Sequence, residues 1–228
     1  MRRSLPGAIM ALLSWAVILP TAANAVDLWI QPNPVTVPTG ATVAVRLFEG
    51  SAFEGTERSY REDRIGRFQR LWKGGRVNLR AAEGAVPAAT FSADRPGVQL
   101  IAFESARGDR FCKSLVVVGN PQSGDPLRWS ELGQTLEIVP QTDPVSLARD
   151  GGTLEVQVLF EREPLADATV SFVPESDAQA AKTLRTDEIG VVRFRLNRAG
   201  LWLVRTSHGA LGATLTLTAG ARRAADGP

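Results

Sequence analysis

Alternation of apolar and polar residues over residues 132–217 is the feature that most constrains how this chain folds. Every second residue from Leu154 to Phe160 is apolar, and Glu155 and Gln157 lie between them. Side chains with a period of two point to opposite faces of a β-strand, so one face is core and the other is solvated. The same pattern recurs, with turn residues between, at 168–172, 192–196, 201–203 and 215–217. Short strands at this spacing predict an immunoglobulin-like or transthyretin-like β-sandwich over residues 131–219.

The preceding residues carry a second set of strand patterns. Residues 42–48 alternate, and the glycine pair Gly74-Gly75 between two apolar runs predicts a hairpin. The charged stretch 49–67 lacks a pattern and predicts an exposed loop with room for one helical turn. We therefore predict an all-β protein of two β-sandwich domains. Its parts are the N-terminal domain 26–120, a linker over 121–130, the C-terminal domain 131–219 and a flexible tail over 220–228.

The first 25 residues have the order of a secretory signal peptide. Arg2 and Arg3 precede an apolar run over residues 8–19, and small residues end at Ala25. This run is shorter than the roughly 20 residues that a spanning helix needs. We predict cleavage after Ala25, a mature chain that starts at Val26 without a membrane span, and a periplasmic location in a Gram-negative bacterium. General secretion is the expected route, with twin-arginine export as the alternative.

Charge and cysteine content exclude several classes of function. Cleavage would remove two arginines and no other charged residue, so the formal charge would fall from +2 to zero. No basic stripe then remains to neutralise phosphates, and a nucleic-acid partner is not expected. Cys112 is the only cysteine, which excludes an intramolecular disulfide. It lies in an apolar run and is expected to be a small buried residue, with a reactive thiol as the alternative.

Four strings of residues resemble one bacterial family. They are Asp27-Leu28-Trp29-Ile30-Gln31-Pro32, the string from Leu136 to Pro144, Thr186-Asp187-Glu188-Ile189-Gly190, and Ala199-Gly200-Leu201-Trp202-Leu203-Val204-Arg205 with His208 beyond. They are similar to a family of unknown function whose members are described as nickel uptake substrate-specific components. That family includes periplasmic accessory proteins of nickel and cobalt transporters. The resemblance implies a secreted two-domain β protein that handles a divalent transition metal or assists a transporter.

Few residues could ligate such a metal. Members of the family commonly start the mature chain with a histidine, and Val26 takes that position here. His208 is the only histidine in the chain, whereas zinc sites take three or four side-chain ligands and nickel favours nitrogen donors. A weak nickel or cobalt site could combine His208, a carboxylate such as Asp27 or Asp187, and the free amine of Val26. The preferred interpretation of His208 is a surface residue at the end of a strand.

Catalysis and ligand stacking have little support in the sequence. Ser207 lies beside His208, but neighbouring strand residues point to opposite faces, so an enzyme is not expected. Trp29, Trp72, Trp129 and Trp202 could form a stacking platform for a sugar or peptide. Packing in the core or between domains is the favoured interpretation. Residues 187–190 predict a hairpin turn rather than a calcium loop, and residues 143–144 predict a turn at a strand edge.

Two hypotheses of different classes follow. In the first, the protein is a secreted, non-enzymatic binding or accessory component of a nickel or cobalt uptake system, with a membrane transporter as its partner. In the second, it is an envelope module that holds another protein or a glycan and has lost metal binding.

Overall fold

The computed structural model describes residues 26–122 and 130–220. The predicted signal peptide, most of the predicted linker, Trp129 and nearly all of the predicted tail lie outside the described residues. Within them the chain is nearly all β, which confirms the predicted fold class.

The strands are numbered in chain order. They are β1 (Asp27–Asn33), β2 (Thr36–Val37), β3 (Thr42–Ser51), β4 (Glu54–Arg58), β5 (Ile65–Trp72), β6 (Gly75–Asn78), β7 (Ala89–Ser92), β8 (Gly97–Ser105), β9 (Arg110–Val118), β10 (Leu136–Pro140), β11 (Gly152–Phe160), β12 (Glu163–Pro164), β13 (Thr169–Pro174), β14 (Lys182–Arg185), β15 (Val191–Leu196), β16 (Gly200–His208) and β17 (Leu211–Ala219). One α-helix, α1, spans Pro144–Asp150, and 3-10 turns span Glu62–Arg64 and Ala178–Ala180.

Three sheets form three layers. The central sheet has the order β14-β13-β16-β17-β9-β8-β5-β6, with β2 added beside β9. The N-terminal sheet contains β1, β3, β4 and β7, and the C-terminal sheet contains β10, β11, β12 and β15. Cys112 and Val116 of β9 pack into a core with the N-terminal sheet, whereas Phe111 and Leu115 pack into a core with the C-terminal sheet. The two outer sheets therefore cover opposite faces of the central sheet.

The central sheet is continuous across the two halves of the chain. Each half supplies one outer sheet and about half of the central sheet, so two sandwiches are present. They join where β9 and β17 pair in parallel, from Arg110 opposite Gly212 to Ser114 opposite Thr216. This pairing was not predicted. The boundaries of the two domains stay a prediction, since residues 123–129 of the linker are not described.

Strand β9 is buried on both faces. All of its residues after Arg110 are buried, which explains a sequence that is apolar rather than alternating at its end. Lys113 is the one charged residue in this buried part of the strand. Its ammonium donates to Ser130 O at 2.6 Å and pairs with the carboxylate of Glu137 on β10. Burial lowers the pKa of Lys113, and the charge of Glu137 opposes that shift.

Two local predictions were wrong in part. The stretch 49–67 contains the expected helical turn, but also strand β4, which pairs with β3. Four of the five β4 residues are exposed, so the strand has no alternation to reveal it. Residues 143–144 begin helix α1 rather than a simple turn. Asp143 accepts from Val145 N at 3.0 Å and Ser146 N at 3.3 Å, with Pro144 at the first helical position.

The predicted hairpin at Gly74-Gly75 is confirmed, since β5 and β6 pair as antiparallel strands on either side of it.

Candidate binding cleft

A cleft of about 870 Å³ opens between the N-terminal sheet and the central sheet. It lies at the end of the sandwich where β1 begins, β5 begins and the β8–β9 turn projects. Residues 59–61, 63 and 64, between β4 and β5, form one side of its rim. Ligand pockets in proteins commonly measure about 300–1,000 Å³ and often occur at the mouths of β-structures. The cleft is therefore large enough to hold a small molecule.

The floor of the cleft is the apolar core of the N-terminal sandwich. Leu47, Phe68 and Phe103 line it and belong to that core, where each is at most 8% exposed. Leu28 and Ile65 line it as well and are half-buried. An apolar group that enters the cleft would contact core side chains directly.

Tyr60 places a hydroxyl group in this apolar setting. The residue is 6% exposed and lines the cleft. Its backbone is fixed by Tyr60 N donating to Ala85 O at 2.9 Å and by Gly84 N donating to Tyr60 O at 2.8 Å. Across residues 26–122 and 130–220, the hydroxyl makes no hydrogen bond. The hydroxyl oxygen is not one of the fully buried polar atoms without a partner, so it is open to water or to a ligand in the cleft.

The carboxylates that line the cleft all face guanidinium groups. The pairs are Glu49 with Arg58 at 2.5 Å, Glu57 with Arg46 at 2.7 Å, Asp63 with Arg61 at 3.5 Å and Asp109 with Arg110 at 3.7 Å. The hydrogen bond from Arg46 lowers the pKa of Glu57, and the positive charge of Arg46 adds to this effect. Glu49, Glu57 and Asp109 are therefore paired within the protein, whereas Asp63 shares Arg61 with Glu83, which lies nearer to Arg61 at 2.6 Å.

Two arginines of the rim, unlike the others, have no carboxylate partner among the described residues. Arg64 and Arg107 line the cleft and are exposed, and neither has an ion pair with any residue that the structure describes. Ala106 N donates to Arg64 O at 2.9 Å, which joins the chain segments that carry the two arginines. The rim therefore carries two arginines on neighbouring chain segments, and neither has a counter-ion among the described residues.

Two of the predicted metal ligands lie beside the cleft. Val26 lines both the cleft and a second cavity of about 230 Å³. Asp27 lines the second cavity and forms an ion pair with Arg205 of β16. Arg110 Nε donates to Val26 O at 3.3 Å. The structure thus brings Val26 and Asp27 together, but an arginine already holds the carboxylate.

The third predicted ligand, His208, lies on the other face of the central sheet. Its ring packs against Phe160 of the C-terminal sheet, with 4.6 Å between ring centroids. Arg205, on the same strand, reaches Asp27 of the N-terminal sheet instead. His208 is exposed at the end of β16, as its preferred interpretation predicted. Nowhere in residues 26–122 or 130–220 do three His, Cys, Asp or Glu side chains cluster as metal ligands would.

The tryptophans serve mainly as packing residues. Trp29 and Trp202 are each 1% exposed, which confirms the packing interpretation for both. Trp29 stacks on Phe48 with 5.5 Å between ring centroids. Trp72 is half-buried, with Arg70 and Arg95 over its ring at 5.2 and 4.8 Å. A platform of several exposed tryptophans is not present among the described residues.

Cys112 is a small buried residue, as expected. It is fully buried, and its Sγ donates to Leu28 O at 3.1 Å. Burial raises the pKa of the thiol to about 12. Since the thiolate is the reactive form, the alternative of a reactive cysteine is not supported.

The sequence pattern did not reveal the cleft. Its rim comes from the charged stretch 49–67, which has no periodicity, and from the β8–β9 turn. One signal was available: Tyr60 is the only tyrosine of the chain and stands between Arg58 and Arg61. An aromatic residue within a run of arginines is unusual in a loop whose only role is to be solvated.

Comparison with known proteins gives one family. Residues 103–210 match the family model described as Domain of unknown function (DUF4198). This bears out the coarser part of the resemblance, a domain of unknown function, whereas the nickel association stays a prediction. The matched region runs from the end of β8 to the turn after β16. No curated protein matches the chain.

Comparison with solved structures gives matches at low TM-scores. The D0-D1 domain of Intimin is 14% identical, with 86% of this chain and 98% of that chain covered and a TM-score of 0.27. A two-fibronectin-type-III segment of chicken tenascin is 13% identical, with 83% and 95% covered and a TM-score of 0.23. The Yersinia pseudotuberculosis adhesin InvE is 14% identical, with 85% and 58% covered and a TM-score of 0.25. At these identities and TM-scores the similarity says nothing about function.

The described residues were also compared with the length and apolarity that a membrane-spanning helix needs. No helix within 26–122 or 130–220 is long and apolar enough to cross a bilayer.

Proposed function

We propose that the protein is a non-enzymatic binding protein of the bacterial cell envelope, and that its ligand occupies the cleft between the N-terminal and central sheets. The observation that carries this proposal is the opening of the cleft onto the apolar core, with the hydroxyl of the largely buried Tyr60, which has no partner among the described residues, at its wall. A largely apolar cavity with a few directed polar groups is typical of small-molecule binding sites.

The charges of the rim favour binding over proton-transfer chemistry. A general acid or base works best when its pKa lies near the operating pH. The pKa of Glu57, which lines the cleft, is instead lowered by the hydrogen bond from Arg46. This carboxylate is therefore ionised at neutral pH and already bound to an arginine.

A neutral fluorescent probe tests whether the cleft binds ligands. N-phenyl-1-naphthylamine is apolar and fluoresces strongly when it leaves water. We expect the protein to enhance its fluorescence in a saturable way. Val86 lines the cleft and is 57% exposed, so Val86→Trp adds bulk at the mouth without disturbing the core. This variant should bind the probe at least several-fold more weakly.

Val77→Trp is the matched control. Val77 is also exposed, at 43%, but lies on β6 at the edge of the central sheet and does not line the cleft. This variant should bind the probe like the wild type. Equal binding by the wild type, V86W and V77W, or no binding by any of them, would contradict the proposal.

The envelope location rests on the predicted signal peptide. Expression in a Gram-negative host should yield a periplasmic protein whose mass corresponds to a chain starting at Val26. A full-length chain that stays in the cytoplasm would contradict this part of the proposal.

The nickel or cobalt role is the second candidate. The family resemblance of the sequence favours it, whereas the ion pair of Asp27 with Arg205 and the position of His208 weaken it. Isothermal titration of the mature protein with nickel and cobalt tests direct binding. Saturable binding that Asp27→Asn and His208→Ala abolish would favour the metal role over the cleft.

A further inference from the structure

We infer that the ligand of the cleft is a small amphipathic anion, with its apolar part on the floor and its anionic head between Arg64 and Arg107. This inference rests on the proposed function, because it names the class of ligand for the same cleft. Its basis is the separation of apolar and charged groups within the cleft.

The depth of the cleft selects for an apolar group. Leu47, Phe68 and Phe103 at the floor belong to the hydrophobic core and offer no hydrogen-bonding side chain. A polar group placed against them would lose its water without gaining a partner, which is unfavourable. The Tyr60 hydroxyl is one polar group of the wall without a partner, and it can donate a hydrogen bond to a ligand oxygen.

The rim of the cleft selects for negative charge. Each lining carboxylate lies within 4 Å of a guanidinium group, although Arg61 is nearer to Glu83 than to Asp63. Arg64 and Arg107 have no such partner among the described residues, and the hydrogen bond from Ala106 N to Arg64 O holds their segments together. Guanidinium groups bind carboxylate and phosphate oxygens in a bidentate manner. Either head would therefore suit the rim.

The two parts of the ligand should contribute differently. Arg64 and Arg107 are exposed, and exposed ion pairs contribute little affinity because water screens them. They should determine which head is preferred. The apolar chain should supply most of the affinity, at about fourfold per buried methylene.

Competition against the neutral probe separates these contributions. The competitors are decanoate, decyl phosphate and decyltrimethylammonium, all below their micelle concentrations, with octanoate as the shorter chain. Decanoate or decyl phosphate should displace N-phenyl-1-naphthylamine at least tenfold more effectively than the cation of the same chain length. Octanoate should compete roughly fifteenfold less well than decanoate, because it lacks two methylenes.

Substitution of the two arginines tests the position of the head. In the double variant Arg64→Gln/Arg107→Gln, decanoate should compete roughly tenfold less well, and its advantage over the cation should disappear. Arg195→Gln is the matched control, since Arg195 is exposed on β15 of the C-terminal sheet and should leave the competition unchanged. The single variants Arg64→Gln and Arg107→Gln give intermediate values, and they replace the double variant if it misfolds.

The outcomes distinguish this inference from the proposed function. If the probe binds and V86W weakens it, but the cation competes as well as the anions, the cleft binds ligands and the inference is wrong. The inference is also wrong if the anion preference persists in R64Q/R107Q. If the probe does not bind in the cleft at all, the proposed function fails first.

Discussion

Lys113 and Glu137 show how one residue pair ties two sheets together. Their side chains are 1% and 0% exposed. Lys113 belongs to the central sheet and Glu137 to the C-terminal sheet. The Glu137 carboxylate also accepts from the backbone N–H groups of residues 132, 133 and 134, at 2.6, 2.9 and 3.1 Å. This network fixes the chain where β10 begins.

Removing one partner of this pair should leave a buried charge. We expect Lys113→Met to lower the free energy of unfolding by about 3–5 kcal/mol, as for other broken buried pairs. Glu137→Gln should destabilise the K113M variant less than the wild type, because there it removes the unpaired charge, although the amide can no longer accept from all three N–H groups of residues 132–134. Urea denaturation of the four proteins measures this. Arg193→Met, in the exposed pair with Glu155, is the control and should change stability by about 0–1 kcal/mol. An equally small effect of K113M would contradict the account.

Cys112 gives the protein a specific sensitivity to alkaline pH. Its pKa is about 12 in the folded protein and near its ordinary value of 9.0 when unfolded. Between these values the unfolded state has lost the thiol proton and the folded state has kept it, so stability falls as the pH rises. The fall should reach at most about 1.4 kcal/mol per pH unit. Melts of wild type and Cys112→Ala between pH 8 and 11 should converge as the pH rises, and parallel curves would contradict this.

Strand β1 is held by side chains of the sheet beneath it. Thr214 and Thr216 of β17 donate to Leu28 O at 2.8 Å and Ile30 O at 2.5 Å. Because β1 forms one wall of the cleft, these hydroxyls also support the site. They lie on the polar face of a strand whose alternate residues are apolar core.

Loss of these two hydroxyls should loosen β1 selectively. Thr214→Val/Thr216→Val keeps the shape of both side chains. Ile30 O then loses its hydroxyl donor, which costs about 1–3 kcal/mol, and Leu28 O keeps only the weak Cys112 Sγ donor. We expect faster hydrogen exchange in residues 27–33 than in the rest of the sheets. Thr218→Val is the control, since the bond of Thr218 to Gly200 O is 3.4 Å and its side chain is half-buried. Uniform loss of protection in all strands would contradict a local role.

Sequence periodicity predicted some elements well and others not at all. Leu154, Val156 and Val158 are buried as their alternation predicted, because β11 has one core face and one polar face. Strand β4 escaped prediction because both of its faces are largely exposed. Arg64 and Arg107 are 43 positions apart in sequence, and their segments lie side by side because β5 pairs with β8 and Ala106 N donates to Arg64 O. Hydrophobic periodicity cannot predict which distant segments of the chain lie side by side.

At the scale of the whole molecule, the parallel pairing of β9 and β17 makes each half depend on the other. The sequence predicted two sandwiches but not this pairing, since no local pattern identifies the neighbour of a strand that is buried on both faces. Leu100, Phe111 and Leu115 from the N-terminal half pack into the core shared with the C-terminal sheet. The N-terminal half alone would expose them.

We therefore expect residues 26–122 expressed alone to lack a cooperative unfolding transition. The complete mature chain should unfold in one step, with coincident curves by tryptophan fluorescence and far-UV circular dichroism. Two separate transitions in the complete chain, or a cooperative melt of the isolated piece, would show that the halves are independent domains.

The central claim is that the cleft between the N-terminal and central sheets is the ligand site. Titration of the ¹⁵N-labelled mature protein with decanoate, followed by ¹H–¹⁵N correlation spectra, locates the bound molecule directly. The account predicts saturable shifts of amides in residues 59–65 and 105–110, which form the rim. Shifts centred on His208 and Phe160, on the opposite face of the central sheet, or no saturable shifts at all, would contradict it.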